Sequence, residues 1–454
     1  MEHRTLAAIG HSLEITSSFP SQAFHMAVTD SRYVNKDDLF FALSGAKTDG
    51  HNYLAEVASR GAAAAVVLET YQGPDHGLVL FKVPNVLDAL QTIAKKRIER
   101  WNPPIVAVTG SVGKTTTKEF IATLLACRYV VGKAPGNANS QVGLAATILN
   151  LQGNEEVLVL EMGMTESGNI AKLIQIAPPT LAVVTKIGMA HAGNFADGIQ
   201  GVAKAKAEIL SHFKTKQAII GGNAWSFEPI RNTGICKKFT ASYIPQQADY
   251  VLFPSENEAN CWQMSEKEGL SPPLPLPFHA THFLEDFSIA AAVARKMGLS
   301  WEELLPHLAS LQSTGFRFAK VDIEGTVFIN DAYNAGPESV CAALDNLPVP
   351  SQEGRRIAVL GGMTVDLGPN SDDLHQQVAQ YALGKIDLFF CYGPGSLPMK
   401  EVFEAASREC FYTENMDELR KTLFSFVQPG DVVLIKGANR YAMWKLLEQG
   451  ASDK

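Results

Sequence analysis

Ile105-Val-Ala-Val-Thr109 runs directly into Gly110-Ser111-Val112-Gly113-Lys114-Thr115-Thr116-Thr117, and no other stretch limits the fold as sharply. A continuous apolar run of this kind reads as a strand buried on both faces, which requires a parallel sheet covered by helices on both sides. The glycines turn that strand into a helix expected over 115–125. Such a turn lets backbone N–H groups surround phosphate oxygens, and the helix N-terminus adds partial positive charge. Lys114 brings a full charge to the β- and γ-phosphates, and the Thr115 hydroxyl suits Mg²⁺. The longer pattern GxxxxGK[ST] is not met, because its first position is Val108; the chain carries the shorter TGxxGKT. Gly110, Ser111, Val112, Gly113, Lys114, Thr115 and Thr116 are the candidate phosphate-binding residues.

Strands and helices alternate beyond this turn: Val157 to Glu161 and Leu181 to Thr185 read as strands, Gly198 to His212 as a helix. Open parallel sheets bind ligands at the carboxyl ends of their strands. Glu161 ends one strand and His191 follows six residues after another. Alone, each is an ordinary strand-end carboxylate or loop histidine. Beside a phosphate loop they converge on one site as candidate metal ligands.

The chain divides into three blocks, 1–84, 85–314 and 315–454, and its 454 residues suffice for about three cores at roughly 150 residues each. The first block has short apolar runs at 39–43, 62–68 and 78–83, with a helical pattern at 53–60, the mark of a small α/β domain. A helix over 86–100 is broken by Asn102-Pro103-Pro104. Pro272, Pro273, Pro275 and Pro277 make 251–277 read as extended, and an alanine-rich helix over 287–296 follows. The third block has strands at 356–360, 388–392 and 432–435, again alternating with helices.

Composition excludes several classes. Hydrophobic residues at 46% and charged residues at 19% indicate a folded chain. A net charge of −8 argues against a nucleic-acid partner held by a broadly basic surface. No run of ~18 apolar residues occurs, so no membrane span is expected. Six scattered cysteines without a CxxC pair argue against a structural zinc site and a disulfide scaffold. With no targeting pattern at the start, a cytoplasmic, reduced enzyme is expected.

These residues carry a resemblance to the Mur ligases, the ATP-dependent amide-forming enzymes of peptidoglycan precursor synthesis. Its marks in the first block are Asp30-Ser31-Arg32 and Phe40-Phe-Ala-Leu-Ser-Gly45. In the second they are Thr109 to Thr115, Gly136-Asn137-Ala-Asn139, Glu161-Met-Gly163, His191 and Lys204-Ala-Lys206-Ala-Glu-Ile. In the third they are Gly315-Phe-Arg317, Asp331-Ala-Tyr-Asn334, Asp366-Leu-Gly368 and Lys436-Gly437. The resemblance implies an α/β protein of three domains: a small N-terminal domain for the UDP-substrate, a central P-loop-type parallel-sheet ATPase domain, and a C-terminal Rossmann-like domain closing on ATP and the incoming dipeptide. Within the family the chain is most similar to the branch that joins D-alanyl-D-alanine to a UDP-N-acetylmuramoyl-tripeptide. The implied assembly is a monomer.

The resemblance also implies roles. ATP would be bound by the phosphate loop with Asp286, Arg317, Asp331 and Asn334. Two Mg²⁺ ions would be held, one by Thr115 and Glu161, the other by His191 and a carbamylated Lys206. Lys204 and Lys206 lie two apart on a helix, so at most one faces the site. Ser31, Arg32, Lys47, Asn137 and Asn139 would contact the UDP-muramoyl substrate. Lys114, Glu161, His191 and Lys206 would carry the chemistry. The chain departs from the family pattern at Asp286, where an adenine-contacting Asn is usual, and at Lys186, Gly336 and Ala438-Asn439. Three other readings stay open: a Mur ligase adding the third amino acid, a P-loop regulatory ATPase, and a scaffold that has lost activity.

Overall fold

Alternating apolar strands and amphipathic helices build three sheets in chain order, in a computed structural model that describes residues 4–45, 48–243, 248–312, 315–351 and 353–448. The first sheet is parallel throughout and runs in sequence order through Ala27–Val28, Leu39–Phe41, Ala64–Leu68 and Val79–Val83. The second has nine strands, with Ile105–Thr109 between Val157–Glu161 and Leu181–Val184. All residues of these three strands are buried, as a strand covered on both faces must be. Their parallel register brings Gly110, Glu161 and Thr185 to one edge, where the site forms.

One face of the second sheet shares a continuous core with the first block. Phe41, Phe81, Leu90 of the helix Val86–Trp101, and Leu158 belong to the same cluster. The other face is covered by the helices Lys114–Leu125 and Thr281–Lys296. The third sheet has six strands, antiparallel only between Ala319–Ile323 and Thr326–Asn330, and keeps its own cores on its two faces.

Three expectations need correction. The stretch 251–277 is not merely extended: Trp262–Glu266 and Gly269–Leu270 add antiparallel strands to the edge beside Tyr250–Pro254. Prolines cannot donate to a ladder; they follow these strands, and Leu274 between them still donates to the Trp262 carbonyl at 2.7 Å. The alanine-rich helix begins at Thr281, six residues before the expected start, because the His282-Phe-Leu-Glu segment buries Phe283 and Leu284 against the same core. The helix expected over 198–212 is α-helical over Ile199–Ala207 and tightens to a 3₁₀ turn at Glu208–Leu210. Among the described residues, no helix is long and apolar enough to cross a membrane.

Candidate functional site

The phosphate loop is held by the neighbouring strand end. Ser111 N–H donates to the Lys186 carbonyl at 2.6 Å, and the Thr185 hydroxyl donates to the Val112 carbonyl at 2.6 Å. Gly113 has φ +86° at the start of the helix Lys114–Leu125, a left-handed conformation that glycine adopts without a Cβ penalty. Gly110 lies so close to Thr185 that a β-carbon there would stand 1.9 Å from the Thr185 hydroxyl. The Lys114 amine curls back over the loop and donates to the Gly110 and Ser111 carbonyls at 2.8 and 3.3 Å. Burial lowers its pKa, with Glu161 opposing and Arg317 reinforcing that shift.

Glu161 is 1% exposed and accepts two hydrogen bonds, from the Thr115 hydroxyl and from Asn139 Nδ2, each at 2.7 Å. Asn139 reaches it because Gly163 has no side chain; a β-carbon there would stand 2.8 Å from the Asn139 amide. Asn139 thus orients the carboxylate, and Asn137 lines the same cavity. Lys206 is 1% exposed whereas Lys204 is exposed, as the helical spacing requires. Burial, then repulsion from Lys114, pushes the Lys206 amine well below its ordinary pKa. His191 sits at φ +68°, and its Nδ1 meets Asp366 Oδ2 at 2.6 Å. Burial lowers its pKa against the opposing pull of Asp366.

The third block forms the opposite wall. The Arg317 guanidinium stacks 3.7 Å from the Tyr333 ring centre. Lys436 Nζ pairs with Asp331 Oδ2 at 2.5 Å and donates to the Asn334 carbonyl at 3.0 Å. Asp331 Oδ1 accepts from Phe318 N–H at 3.1 Å, so both its oxygens brace the start of the block. Burial still raises the Asp331 pKa, with Lys436 opposing. Asn334 Oδ1 is turned to its own chain, accepting from Ala335 N–H. Asp286 Oδ1 accepts from the Thr117 hydroxyl at 3.0 Å.

Between these walls lies one cavity of about 770 Å³. It brings together Ser111 to Thr116, Asn137, Asn139, Glu161, His191, Lys206, Asp286, Arg317, Asp331 and Asn334. Ser31 and Arg32 lie outside it: Arg32 is exposed and paired with Asp30 at 2.6 Å, and Ser31 is buried in a short 3₁₀ turn. Lys47 falls outside the described residues.

The donor chemistry fits hard cations. Magnesium takes oxygen ligands, and the Thr115 hydroxyl and Glu161 carboxylate are already in contact. Among the described residues no group of three His, Cys, Asp or Glu gathers as a metal centre. Lys206 stands in the same cavity, and burial holds its amine well below its ordinary pKa.

Sequence alone assigns no role to four groups at the site: Lys436, described above, and three others. Asp366 belongs to a motif whose partner lies on another block. Glu338 accepts from Met189 N–H at 2.8 Å, tying the third block to the His191 loop. His282 is packed between Phe283 and Phe318, and burial lowers its pKa to about 3. The Asp366-Leu-Gly and Lys436-Gly motifs offer a signal; Glu338 and His282 depend on how the blocks dock.

Comparison with known proteins gives concordant results. Family models match at residues 23–128 (Mur ligase family, catalytic domain), 108–293 (Mur ligase middle domain) and 316–439 (Mur ligase, glutamate ligase domain). The UDP-N-acetylmuramoyl-tripeptide–D-alanyl-D-alanine ligase of Bacillus subtilis is 31% identical, covering 96% of each chain. The Synechocystis enzyme of the same name is 32% identical over 96% of this chain and 94% of its own. Among solved structures, the MurF ligase from Thermotoga maritima in complex with ADP superposes with a TM-score of 0.77 at 27% identity, covering 93% of this chain and 96% of that one. MurF from Acinetobacter baumannii gives a TM-score of 0.82 at 25% identity, covering 98% and 97%.

Proposed function

The chain belongs to the Mur ligase family, and from that premise we propose that it joins D-alanyl-D-alanine to a UDP-N-acetylmuramoyl-tripeptide, driven by ATP, in cytoplasmic peptidoglycan precursor synthesis. The observation that carries this reading is the single cavity in which the phosphate loop, Glu161, His191 and Lys206 face Arg317 and Lys436. The match to D-alanyl-D-alanine ligases along nearly the whole chain supports the choice of branch. We take 1–84 as the unit for the UDP end of the substrate, 85–314 as the ATP unit, and 315–454 as the unit closing over ATP and dipeptide. We take the working unit to be a monomer.

A carboxylate is a poor acyl donor. In the proposed reaction the tripeptide's terminal carboxylate attacks the ATP γ-phosphorus, ADP leaves, and an acyl phosphate results. The amine of D-alanyl-D-alanine then attacks the acyl carbon, loses a proton, and expels phosphate to leave the amide. The first step brings two anions together, so catalysis is chiefly positioning and electrostatics. Apart from Ser111 N–H, which is given to the Lys186 carbonyl, the backbone N–H groups of 110–116 and the Lys114 amine receive the phosphates. Arg317 adds charge from the facing wall, where Lys436 is paired with Asp331, and Asp286, beside Gly113, would lie on the nucleotide side. Thr115 and Glu161 would hold one Mg²⁺, and His191 with a carbamate on Lys206 a second. Bound there, the two ions would neutralise charge developing on the transferred phosphoryl group.

The test is phosphate release from ATP with each substrate alone and with both together. Release only with UDP-N-acetylmuramoyl-tripeptide and D-alanyl-D-alanine together supports the ligase. Release without an acceptor points to a regulatory ATPase. Release only with a UDP-dipeptide and a free diamino acid points to the neighbouring branch.

A further inference from the structure

We propose that Asp366 is a positioning residue for His191, so that docking of the third block makes this histidine ready to accept a cation. The proposal rests on the reading of His191 as a metal ligand given above.

His191 belongs to the second block and Asp366 to the third, 175 residues apart, yet Nδ1 and Oδ2 meet at 2.6 Å. Both side chains are about 30% exposed, so this is not a pair of freely solvated surface charges. The backbones beneath them are in contact as well. Gly193, two residues after the histidine, packs on Gly368, two residues after the aspartate; a β-carbon on Gly193 would stand 2.2 Å from Gly368 N. Gly368 has φ +75°, a turn that lets its backbone approach this closely. The same loop receives Glu338 at Met189. The contact is therefore a seated interface between the two blocks, with the carboxylate aimed at one ring nitrogen.

The chemistry follows from the ring. A neutral imidazole has one N–H and one lone pair, and an ionised carboxylate only accepts. Asp366 thus keeps the proton on Nδ1 and leaves the lone pair on Nε2, while fixing the ring plane. A carboxylate on the far nitrogen of a metal-binding histidine sets its tautomer and raises its basicity, and loss of that partner typically costs 10–100-fold in metal affinity or activity. In this chain the carboxylate arrives on another block. With the third block undocked, His191 loses the partner that orients it. Closure and completion of the second cation position become one event, which keeps phosphoryl transfer from being catalysed in an open, wet site.

The experiment uses the full-length protein with ADP and UDP-N-acetylmuramoyl-tripeptide present, and Mn²⁺ as the spectroscopic probe. Bound Mn²⁺ is titrated by electron paramagnetic resonance for the unaltered chain, His191→Ala, Asp366→Ala and Asp366→Asn; ¹⁵N NMR reads the His191 tautomer. The expected result is that His191→Ala loses the weaker Mn²⁺, and that Asp366→Ala weakens it about 10–100-fold and shifts the ring from the Nδ1–H form. Asp366→Asn, which keeps an acceptor oxygen, should fall between. In turnover, Asp366→Ala should lower kcat more than it raises KM for the UDP-substrate. Loss of the weaker Mn²⁺ in His191→Ala with unchanged binding and tautomer in both Asp366 variants overturns the positioning role and leaves the metal reading standing. Unchanged Mn²⁺ binding in His191→Ala overturns the metal reading, and this proposal with it. Circular dichroism checks that the variants are folded, and the milder Asp366→Asn carries the test if the alanine variant is not.

Discussion

The Asp286 carboxylate fills the space that a side chain at position 113 would need: a β-carbon on Gly113 would stand 2.2 Å from Asp286 Oδ1. The loop 110–116 and the helix Thr281–Lys296 are thereby locked together, with Thr117 donating to the same oxygen. Gly113→Ala should therefore fail twice. The left-handed backbone alone costs about 1–3 kcal/mol for a non-glycine residue, and the overlap displaces Asp286. Chemical denaturation should show at least that loss, and calorimetry should show ATP binding weakened. Unchanged ATP affinity would mean the loop does not need this conformation.

Asp286→Asn should act in the opposite direction. Burial raises the Asp286 pKa well above its ordinary value, with Glu285 adding to the shift and Thr117 and Lys186 opposing it. A carboxyl whose folded pKa lies above the unfolded value binds more protons when folded. Stability is then lost as pH rises from the unfolded pKa toward the folded one. Asparagine removes that slope, and its oxygen can still accept from Thr117. The variant should gain more in melting temperature at pH 8 than at pH 5, and bind ATP equally or more tightly. A large loss of ATP affinity would show that the carboxylate itself meets the ligand.

Lys114→Ala should leave the fold intact, because in this structure the amine bonds only to carbonyls of its own loop. Its turnover should fall by the ~10²–10³ typical of removing one preorganised charge-stabilising group. Near-normal turnover in a folded variant would remove the loop from the mechanism.

How much of this was legible in the sequence depended on range. The phosphate loop is local: strand, glycine turn, Lys114 and Thr115 are contiguous, and each dictates its neighbour. Glu161 could be read because parallel strands align their carboxyl ends; 3.6-residue periodicity allows only one of Lys204 and Lys206 to face inward, and the resemblance to the Mur ligases picks Lys206. The contacts that complete the site are not local. Asp366 beside His191, Glu338 on Met189 and Asp286 beneath Gly113 arise from docking between blocks or helices 149 to 175 residues apart in the chain. No periodicity carries such information. The edge strands Trp262–Glu266 and Gly269–Leu270 were hidden for another reason: the prolines that follow them dominate the local composition.

Carbamylation of Lys206 is the remaining expectation, and the geometry sharpens it. The side chain is 1% exposed on the helix Ile199–Ala207 and its residue lines the cavity with Glu161 and His191. A buried ammonium beside Mg²⁺ would repel the ion. Burial and the nearby Lys114 favour the neutral amine instead, and that amine can add carbon dioxide, giving an anionic oxygen pair of the kind magnesium prefers. Lys204, exposed on the other face, has no such route. Lys206→Ala should be nearly inactive and partly restored by a high concentration of acetate, which can place a carboxylate where the carbamate stood. Lys204→Ala should retain activity without acetate. Mass spectrometry under carbon dioxide, with chemical trapping of the carbamate, should locate the adduct at Lys206. Full activity of Lys206→Ala without acetate would remove the carbamate from the mechanism, and loss of activity at Lys204→Ala instead would move it two residues back.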